Sequence, residues 1–222
     1  MSSKNSNQDN FIRFALEANV LSFGEFKTKA GRLSPYFFNA GGFNDGFRLS
    51  ALGHYYANAL MAAHISFDMI YGPAYKGITL AAATAIALAE QGRNVPYAYN
   101  RKEVKDHGEG GSLVGAPVKG KVVIVDDVIS AGTSVRESVN LIRAAGAEPV
   151  AVLIAIDRME KSGNASEIGS QSAVQAVEQE FNIPVIAIAN LANLMAYLSA
   201  SNDAHLTCYL PAVQAYRERY GI

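Results

Sequence analysis

An α/β architecture is predicted for this chain: a mainly parallel central sheet flanked by helices. Three observations carry the prediction. From about residue 67 to residue 190, apolar runs of strand length alternate with helix-length stretches, the pattern of parallel strands joined by helical crossovers. One run, residues 121–125 (KVVIV), is almost wholly β-branched, as expected of a strand covered on both faces. Gly92 and Gly146 follow two of the helical stretches, where glycine ends a helix.

The elements follow in order. Residues 11–20 carry apolar side chains at helical spacing and predict a helix. Residues 23–47, rich in glycine and aromatics, predict loops and short strands. Ser50 is read as the cap of a helix running to about residue 64, with Leu52, Tyr55, Tyr56, Ala59 and Leu60 for its buried face. Residues 67–71 predict a strand, 78–90 an alanine-rich helix and 95–99 a strand. Residues 100–117 are charged and glycine-rich without apolar periodicity, and read as a loop. Then come a strand at 121–125, a helix at 133–145, a strand at 150–156, a helix at 170–181 and a strand at 184–189. The last thirty or so residues look helical around 191–198 and 212–220. Ligands of such sheets sit at the carboxyl ends of the strands. The segments of interest are therefore 72–77, 100 onward, 126–134 and 157–158.

Composition narrows the function. With 222 residues, 50% of them hydrophobic and 18% charged, the chain suits one well-buried core with appended pieces. The formal net charge of −1 gives no basic footprint for nucleic acid, though small anions need only local positive charge. The single cysteine, Cys208, allows no intramolecular disulfide, suits a reducing compartment and reads as a small apolar residue in a C-terminal helix. The first ten residues are polar, and no apolar stretch approaches the ~20 residues of a membrane span. A cytoplasmic location is expected, with no membrane partner. His54, His64 and His205 read as structural.

The strongest local signal is the strand VVIV, the acids Asp126 and Asp127, and the small-residue turn Val128-Ile129-Ser130-Ala131-Gly132-Thr133-Ser134 that opens a helix. The turn and helix start present unpaired backbone N–H groups to a phosphate. Ala131 and Gly132 keep the backbone bare, and the hydroxyls of Ser130, Thr133 and Ser134 add donors. The carboxylates cannot bind phosphate; they suit ribose hydroxyls, or a cation that itself binds pyrophosphate. The plainer alternative is that Asp127 or Thr133 caps the helix and Asp126 ends the strand. No Walker loop and no dinucleotide fingerprint is present.

This segment resembles the phosphoribosyl pyrophosphate (PRPP) motif of type I phosphoribosyltransferases: four apolar residues, two acids, two apolar residues, then Thr/Ser-x-Gly-Thr/Ser. Further segments resemble the bacterial-type orotate phosphoribosyltransferases within that family. These are Phe23-Gly24-Glu25-Phe26 with Lys29, Gly31-Arg32, and Ser34-Pro35-Tyr36-Phe37-Phe38-Asn39; Gly72-Pro73-Ala74-Tyr75-Lys76-Gly77; Asn100-Arg101-Lys102 through Lys105 and His107 to Gly111; and Ile156-Asp157-Arg158. The likeness runs over nearly the whole chain.

The resemblance implies one type I phosphoribosyltransferase domain, with a core of about residues 67–190 and a small hood from about 1–66 and the C-terminal segment. It implies that Asp126 and Asp127 hold the ribose hydroxyls of PRPP and that Val128 to Ser134 wrap its 5-phosphate. Lys29, Tyr75, Lys76, Arg101, Lys102, Lys105 and His107 would complete the PRPP site. Orotate would meet Lys29, the backbone at Phe37 and Phe38, Ser130 and Arg158. The basic loop would close over the neighbouring subunit's site in a homodimer, with Lys102 acting in trans, and a strained peptide bond is implied around Ala74-Tyr75. Catalysis would rest on Lys105, Arg101, Lys102, His107 and Asp127, with Mg²⁺ held mainly through PRPP and no metal ligand set of the chain's own. The bare residues agree: a lysine after a Gly-Pro turn suits pyrophosphate as a point charge, and an arginine makes a fork to a carboxylate. Plainer readings stay open: a solvated loop for 100–117, a loop lysine at 76, a cap or surface arginine at 158, and core packing for Phe37 and Phe38. Ser130 departs from the threonine common in the family but keeps the hydroxyl. Two other functions are weighed: a phosphoribosyltransferase for another base, such as a purine, and a non-catalytic PRPP sensor.

Overall fold

The computed structural model describes residues 7–105 and 111–222, without the side chains of 103–105. Helix α1 (Asn7–Glu17) leads into the antiparallel hairpin of β1 (Leu21–Lys27) and β2 (Leu33–Phe38). Then follow α2 (Gly46–Ala62), β3 (Met69–Gly72), α3 (Lys76–Glu90), β4 (Tyr97–Lys105), β5 (Gly111–Gly115), β6 (Lys121–Val125), α4 (Thr133–Ala144) and β7 (Glu148–Asp157). A short hairpin, β8 (Lys161–Gly163) and β9 (Ile168–Ser172), precedes α5 (Ala173–Phe181), β10 (Val185–Asn190), α6 (Leu191–Ala200), α7 (Ala204–Thr207) and α8 (Leu210–Tyr220).

The central sheet has the order β10-β7-β6-β3-β4-β5; all neighbours are parallel except β4 and β5. Side chains alternate between its two faces, and both faces are buried. Val123 and Val125 of β6, with Leu153 of β7 and Ile70 of β3, join a core that includes Leu52 and Tyr56 of α2, Leu80 and Leu88 of α3, and residues of α1, α6 and α8. Val122 and Ile124, with Val152, Ile154, Met69 and Tyr71, join the opposite core with Val135, Val139 and Ile142 of α4 and Val177 of α5. Two-sided burial is why these strands read as unbroken apolar runs.

The connections create the site. From β3 the chain moves outward to β4, then returns to β6 on the other side of β3. The strand order therefore reverses between β3 and β6, the crevice where open α/β sheets bind ligands.

Several elements differ from the sequence reading. Helix α2 starts at Gly46, not Ser50, because the Asp45 carboxylate accepts from Arg48 N at 2.8 Å and caps it earlier. The stretch read as a loop at 100–117 is largely strand: β4 and β5 pair antiparallel, with Asn100 opposite Leu113. Backbone pairing at a sheet edge needs no apolar face, so periodicity could not reveal it. β8 and β9 were likewise illegible. Helix α5 begins at Ala173, three residues later than read, because Ser172 and Gln175 form a reciprocal capping box. Cys208 lies exposed at the end of α7 rather than inside a C-terminal helix. His64 stands just past α2 at φ 51°.

Candidate active site

Strand β6 ends at Val125, and the two acids follow it. Asp126 and Asp127 are both buried, at 8% and 7% exposure. Asp126 Oδ1 accepts from Asp127 N at 2.9 Å and its Oδ2 from Ser134 Oγ at 3.1 Å. Tyr56, fully buried in α2, donates its hydroxyl to the Asp126 carbonyl at 2.9 Å. Burial, and then the neighbouring Asp127 charge, push the Asp126 carboxyl up to about 6.

The bend beyond them is open. Ser130, Ala131 and Thr133 are exposed. Gly132 precedes α4 at φ 75°, in the left-handed region that glycine favours, and no side chain caps the helix. Among the described residues, the amides of 128–134 donate to no other backbone group. They are unpaired donors of a bend and of the helix start that follows it, suited to an anion. Val128 and Ile129 are half-buried and fix the base of the bend. Arg136 braces it, donating to the Ala131 carbonyl at 2.7 Å. The Ser134 hydroxyl, expected to face a phosphate, is turned to Asp126.

Across the switch point stands the segment after β3. Lys76 opens α3 and donates Nζ to Asp127 Oδ2 at 2.6 Å. Gly72 and Gly77 let the turn press against the sheet. A Cβ on Gly72 would collide with the Gly77 carbonyl, and one on Gly77 would lie 2.9 Å from the Val125 carbonyl oxygen. The Ala74–Tyr75 peptide bond is cis, and the Ala74 amide donates to Asn100 Oδ1 at 2.9 Å. Asn100 thereby ties this turn to β4. Tyr75 is largely exposed, and Lys102 of the same chain places Nζ 5.0 Å from its ring centroid. Lys102 thus lies beside its own chain's turn. Arg101 is half-buried on β4. His107 and the side chain of Lys105 lie outside the described residues.

At the end of β7, Arg158 is half-buried. Its Nε and Nη2 donate to Glu160 Oε1 at 2.9 and 2.6 Å, and Nη2 stands 3.5 Å from Ser34 Oγ on β2. The arginine therefore forks to a carboxylate, but one supplied by the chain. Phe37 is exposed and stacks its ring on Phe26 at 5.4 Å; Phe38 is half-buried and meets Phe11 at 6.4 Å. Lys29 stands exposed in the turn between β1 and β2, outside the hydrogen-bonded network of the acids. Sequence reasoning missed Tyr56, Asn100 and Glu160 as supports of the site. Asn100 opened a segment of interest and Glu160 lay two positions after Arg158, but Tyr56 left no signal of a role at the site.

A switch point lined by a bare anion-binding bend, a buried acid pair and a lysine defines a site for a phosphorylated sugar. Residues 48–183 match the family described as the phosphoribosyl transferase domain. Over 222 residues, all of both chains, the sequence is 80% identical to the orotate phosphoribosyltransferase of Polynucleobacter asymbioticus. Over 212 residues, 96% of this chain and 93% of the relative, it is 69% identical to that of Cupriavidus necator. A crystal structure of the Francisella tularensis orotate phosphoribosyltransferase superposes with a TM-score of 0.85 at 40% identity, covering 96% of this chain and all of that one. The chain belongs to the orotate phosphoribosyltransferase family.

Proposed function

We propose that the protein transfers the ribose 5-phosphate of PRPP to orotate, giving orotidine 5′-monophosphate and pyrophosphate, as a Mg²⁺-dependent cytoplasmic enzyme of pyrimidine synthesis. The observation that carries this reading is the open bend at residues 128–134, whose amides are unpaired beside two buried acids. The bend takes the 5-phosphate. Asp126 and Asp127 accept from the ribose hydroxyls, and Lys76, released from Asp127, turns to the pyrophosphate together with Tyr75, Arg101, Lys102, Lys105 and His107. Orotate rests against Lys29, the Phe37–Phe38 backbone and Ser130, with its carboxylate on Arg158.

No cluster of three or more metal-ligating side chains occurs among the described residues. The two acids are partly committed, Asp127 to Lys76 and Asp126 to Ser134. Mg²⁺ would be held mainly by the substrate's own oxygens, with Asp126 and Asp127 as the chain's carboxylates available to it. When bound, it would supply neutralisation of charge on the pyrophosphate. The chain's residues do the rest. They align C1 of the ribose with the base nitrogen, stabilise the departing pyrophosphate by fixed positive charge, and exclude water while C1 passes through an oxocarbenium-like transition state. No covalent enzyme intermediate is involved.

The positive charge of Arg158 at the end of β7 favours orotate over a purine, which carries no carboxylate. A homodimer is supported by an apolar face between α2 and α3 formed by Leu49, Ala82, Ala83 and Ile86, with Ile86 61% exposed. The test is direct: protein, orotate, PRPP and Mg²⁺ are mixed and the ultraviolet absorbance of orotate is followed. Steady loss of orotate absorbance that requires PRPP is expected; folded protein with no loss would refute the reading. Lys105→Ala should lower kcat by roughly 10²–10³-fold without moving the melting temperature. An unchanged kcat would remove that lysine from the chemistry.

A further inference from the structure

The carboxylate on which Arg158 rests has its own geometry. Glu160 is mostly buried, at 16% exposure, and is shared between two guanidinium groups. Its Oε1 accepts from Nε and Nη2 of Arg158 at 2.9 and 2.6 Å and from the Tyr36 hydroxyl at 3.4 Å. Its Oε2 lies 3.8 Å from Nη1 of Arg32. Arg32 is nearly inaccessible, at 2% exposure, and each of its three nitrogens donates to a carbonyl, those of Lys161, Ser162 and Asn164 at 2.7, 3.1 and 3.3 Å. Its face lies 4.6 Å from the Tyr220 ring centroid. The backbone at Glu160 is pinned as well. It bridges to Gly221, and the Ile222 amide donates to the Met159 carbonyl at 3.0 Å. Met159 itself holds φ 51°, a conformation that L residues adopt at a cost and that here sets Arg158 and Glu160 together.

Two consequences follow from chemistry alone. A long arginine side chain loses rotamer freedom when it binds, and a carboxylate across Nε and Nη2 removes that loss in advance by fixing the fork before the ligand arrives. The charges also fail to balance: two guanidinium groups face one carboxylate. Arg32 is enclosed by carbonyls, so the surplus positive charge is available only at Arg158, which is 27% exposed. A small anion with a planar carboxylate fits that surplus.

We propose that Glu160 is a positioning residue for the carboxylate of the base: it holds the Nε–Nη2 edge of Arg158 and leaves Nη1 as the donor for an incoming monoanion. This rests on the reading of Arg158 as the orotate contact, so the experiment separates the two. Steady-state kinetics are measured for Arg158→Ala, Glu160→Gln and the double variant. If Arg158→Ala leaves the KM for orotate unchanged, the Arg158 reading fails, and this proposal with it. If Arg158→Ala raises it, Glu160→Gln should also raise it, by about tenfold or more, the worth of a hydrogen bond to a charged group. The KM for PRPP should stay within about twofold, and Glu160→Gln should add little in the Arg158→Ala background, as for groups acting through one another. A purely structural ion pair would move both KM values and the melting temperature together, and would add its effect in the double variant. Either result overturns the proposal. Should Glu160→Gln fail to fold, Glu160→Asp keeps the charge but withdraws it by one methylene, and the same split between the two KM values decides.

Discussion

Asp126 shows how a site residue opposes stability. Its carboxyl sits at about 6 in the fold against an ordinary 3.8, so the folded state binds its proton more tightly than the unfolded chain does. Stability tied to this group therefore falls as pH rises from about 4 to about 6, and the full penalty remains above that. Asp126→Asn removes the buried charge and keeps an acceptor for Asp127 N. It should stabilise the protein by on the order of 2 kcal/mol near pH 8, and the gain should vanish near pH 4. Denaturant melts of both proteins at the two pH values check this; an asparagine variant less stable near pH 8 would contradict it. The same variant should lose affinity for PRPP, because a ribose hydroxyl would lose its charged acceptor. Lys76 behaves differently. Its side chain is 54% exposed, so the ion pair with Asp127 adds at most about 1 kcal/mol to stability. That modest hold leaves the lysine able to transfer to an anionic ligand.

The turn between β3 and α3 depends on close packing of backbone against backbone. A Cβ added at Gly72 would run into the Gly77 carbonyl and lie 2.8 Å from the Ala81 Cβ. Neither neighbour is a flexible side-chain end, so β3 and α3 would have to separate. Gly72→Ala should cost at least about 3 kcal/mol, the upper range of overpacking, and should reduce PRPP affinity by displacing Lys76. Chemical denaturation measures the first and isothermal titration with PRPP the second; a variant with native stability would show that the turn has slack. By contrast β4 and β5 hold together by edge pairing, and the ribbon they form carries the basic residues Arg101 and Lys102.

The assembly prediction concerns the exposed apolar face of α2 and α3. Ile86→Asp places a charge in the middle of that face and should halve the molar mass seen by light scattering, with loss of activity if the basic ribbon serves a neighbouring site. A monodisperse monomer with full activity would show that each chain works alone. A wild-type protein that is already monomeric would remove the dimer outright.

Legibility in the sequence followed the length of the physical correlation. The sheet was readable because β6 and β7 are buried on both faces, and burial writes itself into consecutive side chains. The bend was readable because its acids, bare residues and hydroxyls are neighbours in the chain, so their chemistry is local. The edge strand β5 and the part of β4 beyond Tyr99 were not, since hydrogen bonds between backbones leave no mark on residue type. Nor was the Asp45 cap, which starts α2 ahead of Ser50. Least readable were contacts between distant segments: Tyr56 on the Asp126 carbonyl, Asn100 on Ala74, Arg32 on the β8–β9 hairpin and Glu160. Residue order fixed the strands buried on both faces and the bend with its acids, bare residues and hydroxyls. Packing of strands and loops far apart in the chain chose where Arg158 points, what Lys76 rests on and how far Asp126 departs from an ordinary carboxylate, because each depends on groups brought near only when the sheet closes its core.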